Sequence, residues 1–413
     1  MRIAAIADDY TGASDLANTW AKNGLVTIQT IGIPEGLDVS GADALVVSFK
    51  IRSVPAAEAV AAAIRAWDWL TARGFDHVMY KVCSTFDSTD EGNIGPVTDA
   101  LRARAGAALT LVTPAFPETK RTLYKGHLFV EDVLLSESPL RNHPLNPMHD
   151  PNLVRVLGRQ TPDPVGLLDL ATIRAGDAAV AARLDALAGE GVRSVIADAV
   201  AESDLDVLGR AAGAMPVSTG ASGLGLGLAR ASGLGGGAVP ASAPTTGPSA
   251  IVVGSCSARS LEQVAAAEAV MPVLRLDPDR LVAGEAIAEA LDWARERIKA
   301  GPVLVAASGE PDAVRAVQAR HGREAASAAI EAGLASLAEG LVAAGVTRLV
   351  VAGGETSGAV VDRLGIAGFR LGPEIAPGVP VLVTLGHEPP LAMALKSGNF
   401  GGADFFAQAL TRL

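Results

Sequence analysis

The sequence predicts two α/β domains, each a parallel sheet covered by helices, joined by a flexible linker, with a ligand site in the cleft between them. Three observations carry this prediction. Short aliphatic runs alternate with Ala-rich stretches of helical apolar spacing, the pattern of parallel strands buried on both faces. The alternation comes as two series, separated by the Gly-, Pro- and Ser-rich stretch 231–249, which has no apolar period. The length, 413 residues, accommodates two or three domains at roughly 100–200 residues each.

In the first series, 2–7, 44–49, 77–82, 109–114 and 193–198 read as strands. Residues 12–23, 55–73 and 94–105 carry helical spacing between them. The second series has strands at 250–254, 272–276, 302–308, 348–354 and 380–386, with helices near 257–270, 283–299, 322–345 and 356–364. The expected domains are therefore 1–230 and 250–413, with 231–249 as the linker. No internal repeat of solenoid period is present.

Composition narrows the function classes. Hydrophobic residues make up 49% and charged residues 19%, enough apolar material for a sizeable core and too much for general disorder. Aromatics are only 4% while Gly numbers 45, so the core must be built from Ala, Val, Leu and Ile in close layers. A net charge of −11 argues against a nucleic-acid partner or an anionic membrane, both of which need a positive field. A small anion held at a local basic site is still allowed. Two cysteines, Cys83 and Cys256, make no disulfide framework and lack metal-ligand spacing. The opening apolar run is broken at once by two acids, unlike a secretory or membrane-spanning segment. A soluble, cytoplasmic protein is expected.

Candidate chemistry sits at strand ends, where α/β domains bind ligands. The first strand runs into Asp8-Asp9-Tyr10-Thr11-Gly12. One acid can cap the following helix; the other can orient a hydroxyl, act as a general base or hold Mg²⁺. Adjacent residues at a strand end point oppositely, so one of the pair faces the ligand, and Asp9 is the expected one. Lys81 closes an apolar strand, where a cation needs an anionic partner. Arg52 follows another strand and suits a planar carboxylate. Ser84, Asp87 and Asn93 add donors and acceptors within the polar run 83–93. His127 and His143 stand in a loop-rich middle with no visible partner for base chemistry. In the second domain, Gly254-Ser255-Cys256-Ser257 and Gly353-Gly354-Glu355-Thr356-Ser357-Gly358 each follow a strand and open a helix, a geometry that binds phosphate. Their spacing is that of neither the Walker A loop nor the dinucleotide fingerprint. Lys396-Ser397-Gly398-Asn399-Phe400-Gly401-Gly402 is a third Gly-rich segment, suited to wrapping a base or ribose.

These segments together resemble the four-carbon acid sugar kinase family over both domains. Ala7-Asp8-Asp9-Tyr10-Thr11-Gly12-Ala13 resembles its A-D-D-[FLY]-T-G-A opening, and Gly353-Gly354-Glu355-Thr356 its G-G-[DE]-T signature. The run from Lys81 to Leu101, which contains C-S-T-F-D-S-T and G-N-I-G-P, is the longest match; Tyr124 to Val130 and His143 to Asp150 add to it. The resemblance implies ATP-dependent phosphorylation of the terminal hydroxyl of a four-carbon 3-oxo acid. Threonate, erythronate or a branched oxo acid are alternative acceptors, and a non-catalytic binding protein is a remote one. It further implies an N-terminal domain for the acid sugar and a C-terminal domain for the nucleotide. ATP contacts would fall on Ser255, Ser257, Gly353, Gly354, Glu355, Thr356, Ser357, Gly358 and Gly398. Mg²⁺ is expected with the nucleotide, and a homo-oligomer is compatible. Tyr10 stands where the closest subgroup often has Phe.

Overall fold

The computed structural model describes residues 1–142, 146–235, 246–307, 309, 316–317, 319–396, 398 and 400–413. The chain forms two compact units, Met1–Val239 and Pro240–Leu413. Of the expected linker 231–249, residues 236–245 lie outside the described residues.

The first unit contains β1 (Ile3–Ala7), β2 (Thr27–Ile31), β3 (Ala44–Ser48), β4 (His77–Lys81) and β5 (Thr110–Thr113). A small antiparallel sheet follows, made of β6 (Arg121–Tyr124), β7 (His127–Val130) and β8 (Val133–Leu134). The unit is completed by β9 (Val165–Leu168), β10 (Ser194–Ala197) and β11 (Val217–Gly220). Its main sheet has the order β2-β3-β1-β4-β11-β5-β10-β9, with every pair parallel. All carboxyl ends therefore share one edge. The chain leaves β1 to one side for β2 and β3, then crosses to the other side for β4. That reversal opens a crevice at the end of β1.

The helix Tyr10–Lys22 covers the sheet with Leu16, Ala17 and Trp20, spaced along one face and fully buried. Trp20 Nε1 donates to the Gly225 carbonyl at 2.9 Å. Gly225 is required there, because a Cβ would lie 2.2 Å from Leu16 Cδ1.

The second unit contains β12 (Ser249–Val253), β13 (Val273–Arg275), β14 (Val303–Ala306), β15 (Arg348–Ala352), β16 (Gly368–Ala376), β17 (Val379–Leu385) and β18 (Ala392–Lys396). The order is β13-β14-β12-β15-β18-β17-β16. Its first four strands repeat the arrangement of β2-β3-β1-β4, again with a reversal at the first strand. In that order the sheet is parallel from β13 to β18, as expected; the strand expected at 380–386 differs in direction. β17 runs antiparallel to both β16 and β18. Only two residues, Pro377 and Gly378 (φ +77°), join β16 to β17, and so short a connection can only reverse the chain.

Helix Arg323–Ala343 is, from Glu324 on, long and apolar enough by length and composition to cross a membrane. In this unit it packs against neighbouring helices, with Leu281 and Leu291 closing on Gly333 and Gly340.

Candidate functional site

The first site is assembled at the carboxyl ends of β3, β1 and β4. Asp8 lies one residue beyond β1 yet stays in the sheet: its N–H donates to the Lys81 carbonyl, and its carbonyl accepts from the Ile51 N–H. It is 2% exposed. Both carboxylate oxygens face the Arg52 guanidinium, with Nε and Nη2 each 2.9 Å away, the bidentate fork that suits arginine. Burial pushes the Asp8 carboxyl above its ordinary pKa, and Arg52 pulls against that rise. Burial alone would lower the Arg52 pKa, but the charges of Asp8 and Asp9, with Cys83 beside them, hold it raised.

Asp9, the next residue, does not turn away as strand alternation would predict; its carboxylate meets the same guanidinium. It caps the helix Tyr10–Lys22: Oδ1 accepts from the Gly12 N–H at 2.8 Å, and Oδ2 accepts from Thr11 Oγ1 at 3.1 Å. Arg52 Nη2 also reaches Asp9 Oδ1 at 3.1 Å, so one guanidinium bridges both acids. The Asp9 side chain is about a quarter exposed, against 3% for that of Asp8. Of the two, Asp9 is open to a ligand.

Lys81 closes β4 and is 3% exposed. Its Nζ donates to the Val82 carbonyl at 2.9 Å, and it forms no ion pair among the described residues. Gly12 leaves room for this ammonium, since a Cβ there would sit 2.4 Å from Asp9 Oδ1 and 3.1 Å from Lys81 Nζ. Asp8, Asp9, Thr11, Gly12, Arg52 and Lys81 thus form one cluster.

Three candidates, Arg52 among them, have partners other than those expected. Arg52, expected to clamp a substrate carboxylate, has its Nε and Nη2 committed to the two aspartates. Asn93 is 2% exposed and spends its amide on the loop that carries Arg52, donating to the Ile51 carbonyl at 2.6 Å. It supports the site from beneath. Asp87 is 8% exposed and accepts from Thr85 Oγ1 at 2.6 Å, while Thr85 also meets Cys83 Sγ at 2.9 Å. Burial, with the Asp87 charge beside it, raises the Cys83 thiol to about 11, which keeps it protonated. Ser84 is half-buried in the same turn. The next residue but one, Phe86, is fully buried at φ +55°, a conformation that costs a bulky side chain and needs packing to hold it.

Of His127 and His143, the former is described, and both of its ring nitrogens have partners. His127 Nδ1 meets the Lys125 carbonyl at 2.9 Å and its Nε2 faces Asn152. His143 lies outside the described residues.

The second site is built from turns. Gly254, Ser255 and Cys256 follow β12, Gly353 to Thr356 follow β15, and Gly398 follows β18. All of them line one cavity of about 270 Å³. Close approach explains the glycines: a Cβ on Gly254 would meet Thr356 Oγ1 at 2.1 Å, and one on Gly398 would meet Ser255 Oγ at 2.6 Å. Gly353 has φ +125°, which L side chains rarely adopt. Ser257 caps the helix Ala258–Ala267, with Oγ accepting from the Ser260 N–H at 3.1 Å. Ser357 and Gly358 are buried within the first turns of helix Gly354–Arg363. The rest of the lining is mostly apolar, with Pro278, Val317, Ala326 and Ile330 beside Ser327 and Glu331. Sequence reasoning missed that part of the lining, because its residues belong to helical faces that read as ordinary core.

A mostly apolar lining takes the face of a base, and N–H groups at the starts of two helices take phosphates. The residues therefore fit a nucleotide. Among the described residues, no group of three His, Cys, Asp or Glu side chains could hold a metal ion.

A charged, carboxylate-bearing site in one unit and a nucleotide cradle in the other define a kinase acting on a small acid. Comparison with known proteins agrees. Residues 3–228 match the family described as a sugar-binding N-terminal domain, and residues 250–406 match its nucleotide-binding C-terminal domain. A 3-oxo-tetronate kinase of Methylobacterium radiotolerans is 64% identical, covering 99% of each chain. A solved structure from Salmonella typhimurium LT2 is 41% identical with a TM-score of 0.91, covering 98% of each chain. Another from Haemophilus influenzae is 42% identical with a TM-score of 0.85, covering 99% of each. The chain belongs to the four-carbon acid sugar kinase family. It is an ATP-dependent sugar-acid kinase.

Proposed function

We propose that this enzyme transfers the γ-phosphoryl group of ATP to the 4-hydroxyl of 3-oxo-tetronate, forming the 4-phosphate. The observation that carries the reading is the convergence of two acids and two cations on adjacent strand ends, within the part of the chain that matches the sugar-binding domain. Lys81 receives the substrate carboxylate, which supplies the anion its buried ammonium otherwise lacks. Arg52 assists through Nη1, which has no hydrogen-bond partner among the described residues, and holds Asp9 in place from the other side. Asp9 accepts the proton of the attacking hydroxyl. Asp8 fixes Arg52, and Thr11, Ser84 and Asp87 complete the polar lining.

The glycine turns of the second unit hold ATP, with Ser255, Glu355 and Thr356 beside the phosphates and Ser257, Ser357 and Gly358 in the helix starts behind them. Mg²⁺ would arrive on those phosphates with several of its waters, and would neutralise charge during transfer. Transfer then requires the γ-phosphate held by one unit to meet the hydroxyl held by the other. A soluble, cytoplasmic enzyme is consistent with the long apolar helix packing inside its own unit.

The test is ATP consumption by the full chain with 3-oxo-tetronate, threonate, erythronate and branched oxo acids offered in parallel. Turnover is expected to be fastest with 3-oxo-tetronate, with phosphate appearing on C4 by phosphorus NMR. A higher kcat/KM for threonate or erythronate would replace the substrate assignment.

A further inference from the structure

A fully buried lysine, outside the set expected to touch ATP, stands behind the nucleotide turns. Lys396 ends the apolar strand β18 and is 0% exposed. A lysine at such a position is rare, because burying an ammonium is costly without hydrogen bonds. Here Nζ donates to the Gly398 carbonyl at 2.8 Å and to Ser260 Oγ at 3.3 Å, with the Phe405 ring centroid 5.9 Å away. Burial, followed by the nearby Arg259, lowers its pKa to about 8, so it is mainly an ammonium at neutral pH.

Three donors converge on the same Gly398 oxygen. Besides Lys396 Nζ, Ser257 Oγ reaches it at 2.8 Å and Ser260 Oγ at 3.0 Å. The backbone of Lys396 makes a second tie, as its carbonyl accepts from the Gly353 N–H at 2.8 Å. Ser257 belongs to the turn after β12, Gly353 to the turn after β15, and Gly398 to the turn after β18. Lys396 itself does not line the cavity.

We propose that Lys396 is a positioning residue for the nucleotide: its ammonium on the Gly398 carbonyl and its carbonyl on the Gly353 amide hold the three pocket turns in register. The inference rests on the nucleotide site proposed above and adds to it a residue that acts through others.

The experiment titrates the full-length protein with Mg-ADP by calorimetry and measures both KM values for wild type, Lys396→Met and Ser260→Ala. Lys396→Met is expected to weaken ADP binding and raise the ATP KM by about tenfold or more, the scale of one charge-assisted hydrogen bond. The acid-sugar KM should stay unchanged. Ser260→Ala removes a lesser donor and should weaken ADP binding by a smaller factor in the same direction. Wild-type ADP affinity in Lys396→Met overturns the inference, as does an equal rise in both KM values, which would mark a merely structural role. Should Lys396→Met fail to fold, Ser260→Ala decides, and unchanged ADP affinity there overturns it. Absence of ADP binding by the wild type would instead overturn the nucleotide site itself, and this inference with it.

Discussion

The first four strands of each unit have the same spatial order, β2-β3-β1-β4 in one and β13-β14-β12-β15 in the other, so each has a crevice at the end of its first strand. The two crevices are furnished in opposite ways. After β1 come Asp8 and Asp9, bridged by Arg52 and close to Lys81, so that side-chain charge lines this crevice. After β12 come Gly254 and Ser255, which line one cavity with Gly353, Thr356 and Gly398, so that close-packed glycine turns and hydroxyls shape it. On the proposed reading, one topology serves two ligands. A small acid with a reacting hydroxyl needs a few charged groups fixed in place, whereas polyphosphate needs many weak donors and no Cβ in the way.

This contrast can be broken most severely at Asp9. Asn keeps the helix cap almost undiminished but cannot take a proton. Asp9→Asn is therefore expected to lower kcat by about 10²–10⁴-fold, the usual contribution of a general base, while Mg-ADP binding measured by calorimetry stays as in the wild type. A fall of less than about tenfold would assign the proton transfer elsewhere, since that range bounds a positioned base.

A second difference between the units appears in acid. His77, at the start of β4, is fully buried. Its Nδ1 lies 2.7 Å from the Met215 carbonyl, which can only accept, so Nδ1 carries the proton and Nε2 accepts from Ser218 Oγ at 2.8 Å. Burial lowers its pKa from 6.5 to about 4, only partly offset by the hydrogen bond to Met215. The unfolded chain therefore binds this proton more readily than the folded one. The contribution is complete above pH 6.5 and is lost as pH falls toward 4, amounting to about 3 kcal/mol across the window. Denaturant titrations of the full chain at pH 7, 5 and 4 should show that loss in the transition of the first unit, and His77→Gln should flatten it. An equal slope in the variant would remove His77 as the cause.

Much of this architecture was legible in the sequence. The strands at 2–7, 44–49, 77–82 and 348–354 and the helices at 55–73 and 94–105 lie within two residues of their observed bounds, because buried parallel strands are continuous aliphatic runs. β11, Val217–Gly220, was not legible: Ser, Thr and Gly leave it without the aliphatic run that marks the other strands. It is buried nonetheless, because β4 and β5 flank it and Thr219 Oγ1 bonds to Thr98 Oγ1 at 2.8 Å. The acids and cations were visible as strand ends, but their pairing was not. That Arg52 grips Asp8 follows from β3 lying beside β1, and sheet order is a long-range fact. Asn93 likewise looked like a ligand donor until the 51–54 loop was found resting on its amide.

The division of labour between the units is tested most directly by measuring both KM values for two variants, Lys81→Met and Gly353→Ala. Removing the Lys81 ammonium should raise the acid-sugar KM by about tenfold or more, the scale of one charge-assisted hydrogen bond, and leave the ATP KM alone. Gly353→Ala puts a Cβ 2.9 Å from Thr356 Oγ1 at φ +125°, and should raise the ATP KM while leaving the acid-sugar KM alone. An ATP KM that moves with Lys81→Met, or an acid-sugar KM that moves with Gly353→Ala, would contradict the assignment of one ligand to each crevice.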